Sequence, residues 1–167
     1  LKQAVSEAEL LFISISAQSL RTLTASLQPL FPKNTPVILC MKGIEEATGL
    51  RLTQIVGEFI SAPTAVWVGP GHVQDFLQGI PNCMVIDSQD DILKQRLVPL
   101  LSSELIRFYY GTDLIGSEVG AAAKNVVGIA AGMLDGLDQS SLKGALMSRG
   151  TREIARLIES MGGNGLS

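Results

Sequence analysis

Lys124 and Asn125 are the residues best placed to do chemistry. They stand in the run Gly120-Ala-Ala-Ala-Lys124-Asn125-Val-Val-Gly128. Gly116, Gly120, Lys124, Gly128 and Gly132 recur at every fourth position, which makes them one stripe down a helix. Each interior glycine costs a helix about 1 kcal/mol relative to alanine, so the four of this stripe give up about 4 kcal/mol, a large share of a domain's stability. Bare backbone leaves a small molecule room to approach. Lys124, the lone charge between Val119 and Leu134, offers it one strong donor. Adjacent helical residues lie about 100° apart, so Asn125 borders the same space. A lysine can protonate a developing alkoxide, and an asparagine can donate to that oxygen or to a neighbouring hydroxyl. Burial and a second nearby cation would lower the lysine's pKa towards a useful value. Close helix packing, with a lysine that snorkels to water, accounts for the same pattern. The helix alone does not choose between the two.

Two further motifs fall at the carboxyl ends of apolar runs, where open parallel sheets bind ligands. Cys40-Met-Lys42-Gly43 sets a lysine before a flexible glycine, within reach of a cofactor or an anion; an ordinary solvated loop lysine reads the same way. Val68-Gly69-Pro70-Gly71-His72 leads into a helical pattern. Its glycines let backbone N–H groups approach a ligand, and a helix start favours anions; a plain Gly-Pro turn is the simpler alternative. His72 is the sole histidine, and no Cys or carboxylate partner is spaced to make a metal site with it. Ser148-Arg149-Gly150 is fainter, an exposed or interdomain arginine as much as a binding one.

The elements that must position these residues alternate. Strand patterns at 10–15, 36–41, 65–68, 83–86 and 106–110 are interleaved with helical patterns at 18–30, 50–60, 73–77 and 90–101. That alternation predicts a parallel sheet with crossover helices. The runs at 10–15 and 37–41 do not alternate polar and apolar, so both should be buried on two faces. After Gly111-Thr-Asp113 the pattern is all helix: the glycine-lysine helix, a loop at 135–140, and a second helix at 142–161 closed by Gly162-Gly163. A boundary near 112 therefore divides an α/β unit, 1–112, from the start of an all-helical one, 113–167.

The 167 residues are 46% hydrophobic and 17% charged with a net charge of -3, the composition of a core-rich globular chain. No basic run or basic-aromatic patch points to nucleic acid. No apolar stretch reaches the roughly 20 residues of a membrane span. Cys40 and Cys83 lie in strand-like runs and read as buried thiols of a reducing compartment. The chain opens Leu1-Lys-Gln-Ala within a helical pattern, with no methionine and no signal-peptide pattern.

In order and spacing these motifs resemble the NAD(P)-dependent glycerol-3-phosphate dehydrogenases. Ala17-Gln-Ser-Leu-Arg21 is similar to that family's serine-glutamine-x-leucine-arginine stretch. Lys42-Gly43 with Thr48-Gly49 resembles its lysine-glycine segment, and Gly69-Pro70 its serine-glycine-proline turn. The closest match runs from Thr112-Asp-Leu-Ile-Gly116 through Lys124-Asn125 to Gly132, followed by Leu146-Met-Ser-Arg149-Gly150. Related hydroxyacid dehydrogenases space lysine and asparagine four apart; here they are adjacent. The resemblance implies a Rossmann-type doubly wound sheet followed by a helical substrate and dimerisation domain. It also implies hydride transfer between NAD or NADP and the glycerol 3-phosphate/dihydroxyacetone phosphate pair, feeding glycerophospholipid synthesis in a cytoplasmic homodimer. By that analogy Lys124 is the general acid-base. Lys42, Gly69, Gly71 and Asn125 meet the phosphate-ester substrate, and Lys42 and Val73 meet the cofactor.

The sequence departs from the family at the site. Gly71 replaces a hydroxyl residue, Val68 a serine, His72 a phenylalanine, and Ser16-Ala17 a proline-serine pair. No G-x-G-x-x-G loop occurs, nor do the family's first three strands or its later arginine-asparagine segment, so the chain reads as the middle of a longer enzyme. A divergent scaffold or a dehydrogenase of another small hydroxy acid are the competing readings. In the strand order 3-2-1-4-5-6 the run at 10–15 pairs with a strand this sequence does not contain. An apolar edge of that kind invites association, and light scattering of this polypeptide should find self-association rather than a salt-insensitive monomer.

Overall fold

A computed structural model describes residues 2–32, 34–71 and 73–166. Each apolar run forms a strand: β1 (Leu11–Ile13), β2 (Val37–Leu39), β3 (Thr64–Val68), β4 (Asn82–Ser88) and β5 (Ile106–Tyr110). The helices up to β5 are α1 (Lys2–Ser6), α2 (Leu20–Leu27), α3 (Leu52–Phe59), α4 (Val73–Leu77) and α5 (Asp91–Leu101). Then come α6 (Leu114–Gly136) and α7 (Ser140–Ser160). The five strands make one sheet in the order β1-β2-β3-β4-β5.

Side chains alternate across a strand, and β2 shows the result. Val37 and Leu39 enter one core with Leu20, Leu27, Leu52 and Ile55 from α2 and α3. Ile38 enters the other with Ile86, Leu93, Leu97 and Phe108. All three β2 residues are buried, as expected of a central strand. β1 differs from the expectation: it is the outer strand of this sheet, and Phe12 is 42% exposed. Asp90 caps α5 by accepting from the Leu93 N–H at 3.0 Å, which satisfies a donor the helix start would leave unpaired.

One pairing overturns the all-parallel expectation. β1–β2, β2–β3 and β4–β5 are parallel, but β3 and β4 are antiparallel. The reason is reach. The connection over residues 69–81 holds a helix of only 5 residues, about 7.5 Å of rise, whereas β3 spans 5 residues, about 17 Å. The chain does not travel back to the start of β3, so it re-enters the sheet from the edge where it left. The α5 crossover has 11 residues, about 16 Å, which is enough to return the chain for a parallel β5.

The Asp87 carboxylate, 1% exposed, sits where the sheet meets α6. It accepts from Ser117 Oγ at 2.7 Å and from the Ser88 N–H at 2.8 Å. Lys94 Nζ lies 3.8 Å from it and donates to the Gly111 carbonyl at 3.0 Å. Gly111 is required by contact: a Cβ there would fall inside the Asp87 side chain. Gly111→Ala should therefore cost about 1–3 kcal/mol, the usual range for overpacking, seen as a lower denaturant midpoint with an unchanged slope.

Candidate functional site

β1, β2 and β3 are parallel, so they end at one edge of the sheet and deliver Ile15, Met41-Lys42 and Val68-Gly69 side by side. The antiparallel run of β4 brings Met84 to the same edge, since Val68 pairs with Val85. At Gly69 φ is +152°, and a Cβ would stand 3.0 Å from Met84 Cα; only glycine suits that backbone and that approach. Together these residues line a cavity of about 540 Å³ with Trp67 and Phe76 at its apolar wall. No carboxylate is among its lining residues.

α6 reaches the same edge from below. Its first turn is bound through Ser117 to Asp87, which pairs with Val66 midway along β3. From Ser117 to Lys124 the helix rises about 10 Å, close to the reach of the strand from Val66 to Gly69, and this places Lys124 at the strand tips. A second cavity, of about 520 Å³, is lined by Lys124, Asn125, Gly128 and Ile129 from α6 and by Lys42, Gly69, Pro70 and Gly71 from the strand ends. Lys42, Gly69 and Gly71 line both cavities. Lys42 Nζ donates to Asn125 Oδ1 across 3.4 Å, a long contact that holds the amine only loosely. Burial, and secondarily the charge of Lys42, push the pKa of Lys124 below the ordinary lysine value. Both causes penalise the ammonium form.

Five expected site residues, Lys42, Gly69, Gly71, Lys124 and Asn125, thus meet around one space. The side chain of Val73, at the head of α4, and all of His72 lie outside the described residues. Arg149 does not join them; it lines a different cleft with Val127, Leu146 and Glu153. The glycine stripe divides. Gly128 borders the cavity, while Gly132 faces open space. The closest helix packing falls instead at Gly150 of α7, where a Cβ would stand 2.7 Å from a Val127 methyl. At Gly71 the Met84 methyl and, at 2.8 Å, the Phe76 ring occupy the place of any side chain.

The thiols correct the sequence reading. Cys83, at the outer end of β4, is exposed, and Cys40 is half-buried. Cys40 lines the larger cavity, where burial pushes its pKa up to about 11. Among the described residues no three His, Cys, Asp or Glu side chains are arranged to hold a metal ion, and no helix is long and apolar enough to cross a membrane.

Sequence reasoning missed the residues that hold α6 in place. Arg51 and Thr53, at the start of α3, bind the buried carboxylate of Glu118. A glutamate among apolar helical neighbours was the available signal. Lys42 itself rides on a braced turn. Arg21 grips Glu45 through two bonds of 2.8 and 2.9 Å and also pairs with Glu58. The Arg21 guanidinium, then the Thr48 hydroxyl, hold Glu45 below the usual carboxylate range. Lys42→Met should raise the pKa of Lys124 only part of the way to an ordinary lysine, because burial, the larger cause, remains. Reactivity of the Lys124 amine with an acylating reagent, followed against pH by mass spectrometry, measures this; an unchanged midpoint would contradict it.

Residues 1–93 match the family described as NAD-dependent glycerol-3-phosphate dehydrogenase N-terminus, and residues 113–167 that described as NAD-dependent glycerol-3-phosphate dehydrogenase C-terminus. The glycerol-3-phosphate dehydrogenase (NAD(P)+) of Rhodospirillum rubrum is 34% identical over 164 residues, 97% of this chain and 47% of that protein. The protein of the same name from Bradyrhizobium sp. is 38% identical over 157 residues, 93% of this chain and 48% of its own length. The chain therefore spans about half the length of these relatives. The crystal structure of glycerol-3-phosphate dehydrogenase from Coxiella burnetii superposes with a TM-score of 0.90 at 26% identity, over 98% of this chain and 51% of that one. The Plasmodium falciparum glycerol-3-phosphate dehydrogenase shares the fold, with a TM-score of 0.86 at 19% identity over 93% of this chain and 44% of its own. With the strand-end cavities and the Lys124-Asn125 helix in the places described, these matches assign the chain to the NAD-dependent glycerol-3-phosphate dehydrogenase family.

Proposed function

We propose that this chain forms the catalytic centre of a dehydrogenase that interconverts glycerol 3-phosphate and dihydroxyacetone phosphate with NAD or NADP. The observation that carries this reading is the convergence of Lys124, Asn125 and Lys42 on one cavity beside the strand ends, with the Lys124 pKa lowered. In this reading residues 1–112 contribute part of the nucleotide-binding domain and 113–167 the first helices of the substrate domain.

The residues of the larger cavity fit the nicotinamide end of the cofactor. Met41, Trp67, Val68 and Met84 offer apolar walls to a flat ring, and the backbone at Gly69 stands open to it. Lys42 borders it on the substrate side. When bound, the nicotinamide accepts or returns the hydride. Everything else falls to this chain. In the oxidising direction the neutral amine of Lys124 takes the proton of the substrate's secondary hydroxyl as the hydrogen on that carbon leaves as hydride. In the reducing direction the ammonium returns the proton to the carbonyl oxygen. A lowered lysine pKa keeps both forms accessible, which acid-base catalysis needs. Asn125 and Lys42 hold the substrate oxygens, and the Lys42 charge suits the phosphate ester. Gly69 and Gly71 border the substrate space.

A second reading, a dehydrogenase of a different small hydroxy acid, draws on Gly71. Met84 and Phe76 fill the space where the family carries a hydroxyl side chain, so the wall there is apolar. We place the enzyme in the cytoplasm as a homodimer, with a role in supplying glycerophospholipid synthesis.

The test is oxidation of NADH or NADPH by dihydroxyacetone phosphate, using the full product of the gene. Lys124→Ala should lower turnover by about three orders of magnitude or more, the scale of losing acid-base catalysis together with charge stabilisation. Turnover near that of the wild type would remove Lys124 from the mechanism. Activity with other hydroxy acids alone would favour the second reading.

A further inference from the structure

Lys42 and Lys124 ride on separate elements, the turn after β2 and the middle of α6, so their register must be fixed by something else. Glu118 is the residue placed to do it. Its carboxylate, 4% exposed, pairs with Arg51, itself 8% exposed. It also accepts from the Thr53 N–H at 2.9 Å and from Thr53 Oγ at 2.7 Å. The same side chain closes, with Met41, Lys42 and Gly43, a gap too tight for a water molecule. Glu118 therefore lies against the turn that carries one lysine. It also stands six positions before the other, about 9 Å down the helix axis. Its neighbour Ser117 is tied to Asp87. Two consecutive residues bound to different elements fix both the rotation and the axial position of α6.

A buried ion pair is a poor way to gain stability, because desolvation offsets much of the attraction. What it supplies is a single arrangement. We propose that Glu118, gripped by Arg51 and Thr53, is a positioning residue that sets Lys124 against Lys42 over the substrate cavity. This role rests on the dehydrogenase reading above. Among the described residues, Lys42 is the one charged group that faces Lys124 across the cavity, and the Gly69–Gly71 turn brings none. Arg149 and Glu153 of α7 line a different cleft.

The experiment compares Glu118→Ala, Glu118→Gln and Thr53→Val in the full product of the gene. It measures kcat and KM for dihydroxyacetone phosphate, the cofactor dissociation constant by calorimetry, and the pH midpoint of Lys124 acylation. Misplacing a catalytic group by an ångström costs up to about a hundredfold, so Glu118→Ala should lower kcat by about tenfold to a hundredfold. The Lys124 midpoint should rise towards an ordinary lysine as Lys42 draws away, and the acid-side limb of glycerol 3-phosphate oxidation, where the amine must lose its proton to act as base, should move up with it. Cofactor affinity should hold, because no α6 residue lines the larger cavity. Glu118→Gln should recover part of kcat, since it keeps the length and an acceptor for the Thr53 N–H. Unchanged kcat and midpoint in Glu118→Ala would overturn the proposal. So would kcat and cofactor affinity falling together, the mark of a general structural loss. Should Glu118→Ala fail to fold, Thr53→Val, which removes the hydroxyl's bonds to Glu118 and from Arg51 but keeps the Thr53 N–H and the Arg51 pair, must show the same split at smaller size. A wild-type protein with no dehydrogenase activity would defeat the underlying reading, and the Lys124 midpoint would still judge the clamp.

Discussion

The seating of α6 on the sheet depends on one carboxylate taken out of water. Glu118 is buried beneath the strand ends, with a guanidinium, a hydroxyl and a backbone N–H spent on it. A buried charge with fewer partners would be costly. Among the described residues no buried side-chain nitrogen or oxygen lacks a hydrogen-bond partner, so the helix has met that condition in full. An apolar contact slides; a carboxylate with three donors does not. The helix that crosses the sheet is thereby fixed in rotation, and its middle turn comes up at the strand tips.

At that turn the electrostatics are arranged the other way. Lys42 and Lys124 border one cavity with no carboxylate among its lining residues. The acids of this region are engaged elsewhere: Glu45 by Arg21, Glu118 by Arg51, and Asp87 beside Lys94. Burial first, and then the uncompensated charge of Lys42, depress the pKa of Lys124. The two like charges also make a favourable site for an anion. In the proposed dehydrogenase the same segregation of charge would serve recognition and proton transfer together.

Much of this was legible in the residues. Strands and helices fell where period and turn residues placed them, because each buried strand is a short apolar run bounded by breakers. The candidate site was legible in part: glycine and lysine at fourfold spacing marked Lys124 and Gly128, which border the cavity, while Gly132 of the same stripe faces open space. Pairing direction was not legible. Whether β4 runs with or against β3 depends on whether α4 is long enough to carry the chain back, a matter of a few residues. The clamp was also hidden, since Glu118 lies 65 residues or more beyond Arg51 and Thr53 and an apolar setting for Glu118 does not say which residues meet it. The burial of Cys83 was misread because an apolar run does not reveal which end of a strand projects past its neighbours.

The antiparallel pairing of β3 and β4 carries a consequence for how the molecule comes together. Residues 69–81 separate these strands, whereas 40–63 separate β2 from β3. Each doubling of loop length adds about 0.6 kcal/mol to the entropy of closure. The β3–β4 ribbon is therefore the least demanding union in the sheet, and it needs the fewest other parts already in place. The bend that carries Gly69 and Gly71 belongs to that ribbon. The most local piece of the architecture is thus also the piece that walls both cavities, and the distant segments, α6 above all, assemble onto a floor that can form without them.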